Sequence, residues 1–566
     1  MFIRKFLRFK VLFILCIFLG SFLYGEPIKT PAEQANYTQY TQYKEIARFL
    51  SQIDQISPYV SMKIVGRSKK TENYPARDIF LCVVTEEGIE NPSHLNRNKP
   101  TFFIIASQHG NEQSAKEAAL WLIRDLAEGK LNSLLQEVNF LILPQANPYG
   151  TKFDQRRNEQ NLDLNRDHVK LEAPEVEAIH RVFRTWMPEV TMDVHEKGDS
   201  YYRISIGCVS NANISHPIQK FSRHTILAEV ERNLESKNIP FHEYLITQRM
   251  GIDSSAGVDY SEKELQNREW MKRYSTTDLN DGRNSLGIYQ TFSFIQEGSS
   301  RHDLKTLKKR TNWQYWGIRY FAESVGRHGK EILSMANKFR ENVRKKAGVY
   351  SKQDLVHLRM KYARDKDHPT LTIKKFKKAE ERILGVLKVD KKAGDPLTRK
   401  DVASYPHPSE YKVVKEVVEN WFPLVERTVS VPRPLGYIVP DEHQDLIETM
   451  LRHDLKVGVF TKDASIKVES YQITHIVPSK HDYLPPEEIG VEKKEMENLV
   501  QEGDYYVSCA QPGANLIPCL LEPQSQYGFI RYWKFNLVPE IGDIFPFYRL
   551  DEEQELSVVP YKRWER

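Results

Sequence analysis

Residues 101–129 read TFFIIASQHGNEQSAKEAALWLIRDLAEG, and this stretch decides the fold. Its first seven residues form a mainly apolar run that predicts a buried strand. From residue 113 to residue 128 the apolar residues recur at helical spacing, and Gly129 is placed to end that helix. A buried strand that runs directly into an amphipathic helix is typical of an α/β protein, so we predict that fold class.

The same alternation of apolar runs and amphipathic helices continues on both sides of this stretch. Short apolar runs at 140–143, 190–194 and 291–295 predict further strands. We therefore predict a mixed central sheet flanked by helices in residues 26–348. Residues 349–566 are more charged and carry short alternating runs, so we assign them to an accessory α+β region.

The bulk composition bounds the classes of function. The chain has 566 residues, 40% of them hydrophobic, which is enough for packed cores in two or three domains. Its 81 Lys and Arg residues against 76 Asp and Glu residues leave a formal net charge of +5, which is nearly balanced over this length. We therefore expect no nucleic-acid partner.

The N-terminal segment differs from the rest of the chain. Four basic residues within residues 1–10 precede an apolar run at 11–24, and the polar chain begins at Glu26. This pattern is typical of a secretory signal peptide, since the run is short against the about 20 apolar residues that span a membrane. We expect residues 1–25 to be a signal peptide and the protein to be periplasmic, envelope-bound or extracellular. An uncleaved segment would be its only membrane contact.

Four cysteines remain after such a cleavage: Cys82, Cys208, Cys509 and Cys519. Their spacing resembles no cysteine-based zinc site. Cys509 and Cys519 are close enough in sequence to pair in an exported protein, and buried free thiols are the alternative.

A His-x-x-Glu pair can supply two zinc ligands from one turn of chain. The chain contains three such pairs: His109 with Glu112, His328 with Glu331, and His407 with Glu410. Only the first directly follows a buried strand, which brings both side chains to the carboxyl end of a central strand, where sites of open α/β sheets usually lie. The charged or proline-rich surroundings of the other two favour surface positions.

Two more predicted strands end in residues of related chemistry. His195 follows the strand in TMDVHEKG, and Glu297 follows the strand in FSFIQEG. Two histidines and a carboxylate are a usual ligand set for catalytic zinc, which also needs a base near its water. We therefore predict a metal site formed by His109, Glu112 and His195, with Glu297 as the base.

The motifs HGNE, NPYG, RRNEQNLDLNRD, MDVHE and FSFIQEG follow one another within about residues 95–300. In this order they resemble the zinc metallocarboxypeptidase family, the relatives of carboxypeptidase A. The segments PRPLGYIVPDEHQDLI and LLEPQSQYGFIRYWKF resemble the C-terminal extension of some bacterial members, which we expect to pack against the catalytic part or to narrow its cleft. The resemblance implies one zinc ion and a peptide substrate with a free C-terminus. It also implies hydrolysis of the last peptide bond by a metal-activated water, with Glu297 as general base.

The resemblance assigns further roles to the DLNR segment. Asp163 would hold the ring of His109 from behind, and Asn165 and Arg166 would bind the terminal carboxylate of the substrate. The alternative is that Asp163 and Asn165 cap a turn and that Arg166 pairs with Asp167.

Two implied roles have competing candidates. Arg157 is expected to stabilise the oxyanion, because an Arg-Asn pair precedes DLNR in the family, and the adjacent Arg156 is its competitor. Tyr274 is expected to close the site over the substrate, at about the family's spacing from Glu297. Tyr289 lies nearer in sequence, and either tyrosine can instead be a core aromatic.

The segment that sets side-chain preference in the family carries Asp278, Asp281 and Arg283. These polar residues argue against a purely apolar pocket without naming the preferred residue.

Other functions remain open at this level. A zinc amidohydrolase that acts on an acylated amino acid carries related motifs but is typically shorter and cytosolic. An amidase of peptidoglycan stem peptides would suit an exported chain. An inactive binding protein of the same fold is disfavoured, because all three ligands and Glu297 are present.

Overall fold

A computed structural model describes residues 27–198, 203–249, 270–274, 276–300, 304–376, 413–477 and 488–561. The predicted signal peptide lies outside these residues, as do His407 and Glu410. Within them, no helix has the length and apolar character needed to cross a membrane.

In the part of the chain that the structure describes, eight strands form the central sheet, in the spatial order β1-β2-β4-β3-β5-β10-β6-β7. In chain order, the first ten strands are β1 Val60–Arg67, β2 Asp78–Val84, β3 Thr101–Ala106, β4 Asn139–Leu143, β5 Val190–Gly198, β6 Ile204–Cys208, β7 Phe241–Glu243, β8 Ile246–Arg249, β9 Trp270–Arg273 and β10 Phe292–Ser300. The four central strands β4, β3, β5 and β10 are parallel. Strands β1 and β2 join antiparallel at one edge, and at the other edge β6 is antiparallel to β10 and parallel to β7. The predicted mixed sheet is confirmed.

Helices flank this sheet. Among the described residues of the first two thirds of the chain, the α-helices of at least six residues are Tyr43–Ile56, Gln113–Ala127, Asn132–Glu137, Pro148–Phe153, Pro174–Trp186, His216–Phe221, Ala228–Ser236, Gly282–Gly287, Leu307–Arg327 and Gly329–Ala347. On β3, Phe102 and Ile104 belong to one buried cluster, and Phe103 and Ile105 belong to another. Because alternate residues of a strand point to opposite faces, β3 is buried on both sides, as its apolar run predicts.

The NPYG motif begins a helix, although its proline and glycine are equally typical of a turn. The helix Pro148–Phe153 starts there because the side chain of Asn147 accepts a hydrogen bond from the backbone N–H of Gly150 at 2.7 Å. Pro148 occupies the first helical position, where its missing N–H costs nothing.

The C-terminal region is rich in β-structure. Its strands are β11 Leu355–Ala363, β12 Leu371–Phe376, β13 Val413–Val418, β14 Trp421–Phe422, β15 Leu424–Pro432, β16 Gly436–Val439, β17 Gly458–Phe460, β18 Ala464–Val477, β19 Glu488–Val500, β20 Tyr505–Ser508, β21 Tyr548–Leu550 and β22 Val558–Pro560. Seven of them form one sheet in the order β19-β18-β21-β16-β20-β17-β22. The helices Gln444–Arg452 and Leu516–Leu521 accompany it.

This region packs against the α/β part within residues 27–348. Phe183 and Trp186 of the helix Pro174–Trp186 share one buried apolar cluster with Ile447 and Leu516. Strand β14 also pairs with β9, which belongs to the α/β part. The two parts therefore share a hydrophobic core, which agrees with the first of the two arrangements expected for the extension.

The four cysteines that follow the predicted signal peptide are buried free thiols: Cys82, Cys208, Cys509 and Cys519. The pairing of Cys509 with Cys519 that their spacing allowed is not made.

Candidate metal centre

The turn between β3 and the helix Gln113–Ala127 carries the first two predicted ligands, His109 and Glu112. Gly110 lies between them against the backbone of Gly150, and a Cβ at this position would come within 2.0 Å of it. The glycine of HGNE is therefore required by this close approach.

His195 and Glu297 lie on the neighbouring parallel strands β5 and β10. They are direct partners in the strand register, so their side chains leave the sheet side by side. Strand β3 pairs with the other edge of β5, and the turn that follows it brings His109 and Glu112 to the same end of the sheet.

The structure brings His109, Glu112 and His195 together in one buried cluster. The Nδ1 atoms of the two histidines are 3.0 Å apart. The Glu112 carboxylate lies 2.8 Å from each, through Oε1 to His109 and Oε2 to His195. The backbone N–H of Glu196 holds Glu112 Oε2 at 3.0 Å.

In both imidazole rings, the Nε2 atom, which faces away from the cluster, contacts a carboxylate. Nε2 of His109 lies 3.1 Å from Oδ1 of Asp163, and Nε2 of His195 lies 2.6 Å from Oδ2 of Asp193. Each Nε2 therefore faces a carboxylate and each Nδ1 faces the cluster, which is the orientation of metal-bound histidines. This donor set of two inward nitrogens and one carboxylate fits zinc.

The electrostatics of the cluster also fit a cation. Burial raises the pKa of Glu112, but the adjacent His109 and His195 outweigh burial and hold this pKa well below its usual range. Burial lowers the pKa of His195, whereas Asp193 and Glu112 outweigh burial and hold it well above its usual range. The buried carboxylates thus attract positive charge to the point where the two Nδ1 atoms meet.

The ligands line a cavity of about 240 Å³ together with Asn165, Arg166 and Glu297. The Asn165 side-chain nitrogen lies 3.2 Å from Nε2 of His195, and its oxygen accepts from the backbone N–H of Gly282 at 2.8 Å.

Arg166 donates to the Asn165 carbonyl at 2.6 Å. Its alternative partner Asp167 instead forms an ion pair with Lys170 at 3.4 Å.

Asp163 combines both expected roles. It contacts His109, and its Oδ1 also accepts from the backbone N–H of Asn165 at 3.1 Å, which caps the short 3₁₀ helix Leu164–Arg166.

The structure places Arg156, and not Arg157, at the metal centre. Nη1 of Arg156 lies 3.1 Å from Nδ1 of His109, and its Nε donates to Asp163 at 2.8 Å. Arg157 is exposed and turns away to donate to the carbonyl of Asn161 at 2.9 Å. The place beside the ligands that was expected for Arg157 is thus taken by Arg156, whose side chain is oriented by its hydrogen bond to Asp163.

Tyr274 is a core residue and does not line this cavity. It is 2% exposed, and its hydroxyl accepts from the backbone N–H of Cys208 at 2.7 Å. Its competitor Tyr289 is also buried, against Phe183. Among the described residues, Tyr244 is the tyrosine that lines the cavity, a residue that the sequence analysis missed.

A chain of buried polar side chains continues outward from His195. Asp193 accepts from Gln108 at 2.7 Å, Gln108 contacts His168 at 2.9 Å, and His168 contacts His180 at 3.0 Å. Of these residues, only Asp193 could have been predicted from the sequence. It lies two residues before His195 on the same strand, and alternate residues of a strand share one face.

We predict that Asp193→Asn weakens zinc binding by about 10- to 100-fold, the usual effect of losing an outer partner of a metal ligand. The amide is similar in shape but no longer accepts as an anion from the His195 ring. Competition with a chelator of known affinity would measure the change. An unchanged dissociation constant would show that Asp193 does not support the ligand.

We also predict that acid destabilises the fold through the buried histidines. Burial lowers the pKa of His168 and of His453 to about 4. Between that value and about 6.5, the unfolded chain binds protons that the folded chain does not, so stability falls as pH is lowered through this range. Thermal unfolding at stepped pH would measure the slope.

The matched variant for this prediction is His453→Gln. His453 donates through Nε2 to the carbonyl of Val169 at 2.9 Å, and a glutamine amide can replace this bond without titrating. We expect a shallower loss of stability between about pH 6.5 and 4 than in the wild type. Equal slopes would contradict the assignment.

The chain is similar to several known proteins. Residues 46–191 match the family model described as zinc carboxypeptidase. "Carboxypeptidase 2" of Trichophyton rubrum is 24% identical over 536 residues, which are 90% of this chain and 86% of the relative. "Carboxypeptidase 2" of Trichophyton tonsurans is 23% identical over 485 residues, which are 82% of this chain and 79% of the relative. A metallo-carboxypeptidase structure from Burkholderia cenocepacia aligns with a TM-score of 0.38 and 18% identity, over 51% of this chain and 70% of that one.

The chain therefore resembles the zinc metallocarboxypeptidase family, whose model matches residues 46–191 and whose curated relatives align over most of the chain. It is a metallopeptidase of the carboxypeptidase type.

Proposed function

We propose that the protein is a zinc exopeptidase that releases C-terminal residues from peptides, with zinc held by His109, Glu112 and His195. One observation carries the proposal. A single cavity is lined by the three ligands, by Glu297, and by the Asn165–Arg166 pair that suits a terminal carboxylate.

Glu297 is the proposed general base. Its Oε2 is buried and has no hydrogen-bond partner among the described residues, so this oxygen is available to a water in the cavity. Zinc, when bound, supplies Lewis-acid polarisation of the scissile carbonyl and lowers the pKa of a nearby water. Glu297 takes the proton from the attacking water and passes it to the leaving amine.

Arg166 and Asn165 account for the exopeptidase specificity. A guanidinium fork binds a planar carboxylate through two parallel hydrogen bonds, and Asn165 adds a donor beside it. The cavity of about 240 Å³ is smaller than the pockets of about 300–1,000 Å³ that hold drug-sized ligands. A site of this size suits one terminal residue.

Arg156 is the proposed oxyanion donor. Its Nη1 lies 3.8 Å from Glu112 Oε1 and its side chain is 42% exposed, so it stands at the mouth of the cavity beside the ligands. A cation at this position would stabilise negative charge on the carbonyl oxygen as the carbon becomes tetrahedral.

The test is the release of amino acids from a mixed peptide library by the purified chain beginning at Glu26. We expect mass spectrometry to find ladders shortened from the C-terminus, lost after chelation and restored by zinc. If zinc-loaded protein trims no peptide but cleaves acylated amino acids or peptidoglycan stem peptides, the amidohydrolase alternative takes its place.

We further propose that the protein is exported by its N-terminal segment. The support is the basic head and short apolar run within residues 1–25. N-terminal sequencing of the protein from the cell envelope and the medium tests this proposal. Recovery of intact residues 1–25 from the cytosol would contradict it.

A further inference from the structure

A buried arginine with unused donors lies in the wall of the same cavity. Arg283 lines the cavity and is 2% exposed. Its Nη2 donates to Oδ2 of Asp281 at 2.8 Å. Its Nε and Nη1 are buried and have no hydrogen-bond partner among the described residues. A buried guanidinium with two unsatisfied donors is costly, so an acceptor is expected from a ligand.

Asp281 cannot satisfy this arginine alone. Its other oxygen, Oδ1, caps the helix Gly282–Gly287 by accepting from the backbone N–H of Asn284 at 2.8 Å. One oxygen of the Asp281 carboxylate therefore accepts from the start of the helix, and the other accepts from one nitrogen of Arg283. Nε and Nη1 of the guanidinium remain unpaired, and either can donate to a second carboxylate.

No ion pair joins Arg283 to the other carboxylates of the cavity wall among the described residues. Glu112 contacts both histidines of the metal centre, and Glu196 forms a buried ion pair with Arg310. Glu297 is the proposed base. Asp281 is thus the carboxylate that pairs with Arg283, and an anionic ligand would pair with the unused nitrogens of its guanidinium.

The remaining wall suits a short side chain. Ile246 and Ile295 supply apolar surface for methylene groups, and the ring of Tyr244 lies 5.6 Å from the Arg283 guanidinium. The cavity of about 240 Å³ leaves room for a carboxylate on a short stem.

We infer that the cavity selects an acidic C-terminal residue, aspartate or glutamate. Arg283 binds the side-chain carboxylate while Asn165 and Arg166 bind the α-carboxylate. The inference rests on the proposed function, since it names the substrate class of the proposed exopeptidase.

The C-terminal region braces the segment that carries Arg283. The hydroxyl of Tyr527 lies 2.6 Å from Oγ1 of Thr277, and the hydroxyl of Tyr362 accepts from the backbone N–H of Thr277 at 3.2 Å. The hydroxyl of Tyr532 accepts from the side chain of Asn280. These contacts fix the chain just before Asp281, so the guanidinium is held in place before substrate arrives.

The test compares peptides that differ only in their last residue: Glu, Asp, Gln, Lys or Phe. With the zinc-loaded protein, we expect kcat/KM for the Glu peptide to exceed that for the Gln peptide by about 100-fold or more, because Gln leaves the guanidinium unpaired. Arg283→Gln should bring this ratio close to 1.

The outcomes separate the two claims. If the wild type trims the peptides but prefers Lys or Phe, the proposed function stands and this inference is overturned. If it trims none of them, both fall. Should Arg283→Gln fail to fold, Arg283→Lys keeps a charge beside Asp281 but loses the fork, and we expect it to lower the Glu-to-Gln ratio by about 10-fold. An unchanged ratio would also overturn the inference.

Discussion

Glu297→Gln is expected to lower kcat by about 100- to 10,000-fold, the usual contribution of a general base, while zinc binding stays within a few-fold of the wild type. The amide has nearly the shape of the carboxylate, so the strand pairing of β10 with β5 is kept. It cannot take a proton from the attacking water. Single-turnover kinetics on the best peptide of the library, with metal content measured in parallel, would separate the two effects.

Glu189→Gln is a matched control for this experiment. Glu189 is also a buried glutamate, but it lies just before β5, at the opposite end of the strand from His195. There it accepts from the backbone N–H of Thr101 at 2.9 Å, a bond that the amide oxygen can keep. We expect kcat within a few-fold of the wild type. A comparable loss in both variants, or none in Glu297→Gln, would remove Glu297 from the role of base.

The sequence predicted those parts of the fold that depend on patterns of neighbouring residues. The apolar run of β3 and the helical spacing after it are features of adjacent residues, so strand, turn and helix follow without tertiary information. The metal ligands follow the same logic. His109 and Glu112 lie just past the end of β3, and His195 lies in the carboxyl-terminal half of β5. Parallel strands bring these ends together.

The features that the sequence did not predict depend on side-chain direction. Arg156 and Arg157 are adjacent arginines, and only the position of the Asp163 carboxylate decides which of them turns toward His109. Tyr274 has about the expected spacing, yet its hydroxyl is used by the backbone of Cys208 in the core. No spacing rule carries that information.

The sequence also did not predict contacts between segments that lie far apart along the chain. Tyr527 and Tyr532 lie about half of the chain away from the segment that they brace. The link from Gln108 through His168 to His180 joins three separate stretches of chain. Tertiary packing alone creates such pairs, so composition and periodicity do not reveal them.

The second large effect on activity is expected from substitution of the adjacent arginines Arg156 and Arg157. Arg156→Ala is expected to lower kcat by about 100- to 1,000-fold, as for the loss of one oxyanion donor, whereas Arg157→Ala should stay within a few-fold of the wild type. The two variants remove the same side chain one residue apart, so a general effect on this loop would appear in both. Because Arg156 also orients Asp163, the comparison is made at saturating zinc, with metal content measured for each variant.

The direction of the difference decides the assignment. If Arg156→Ala loses kcat while its KM and metal content change little, the missing interaction is one made in the transition state, which is the property of an oxyanion donor. If the loss appears only below saturating zinc, Arg156 supports the ligand His109 through Asp163 and touches no substrate. If Arg157→Ala is the slower enzyme, the loop must rearrange when peptide binds, so that Arg157 leaves its bond to the Asn161 carbonyl and turns into the cavity.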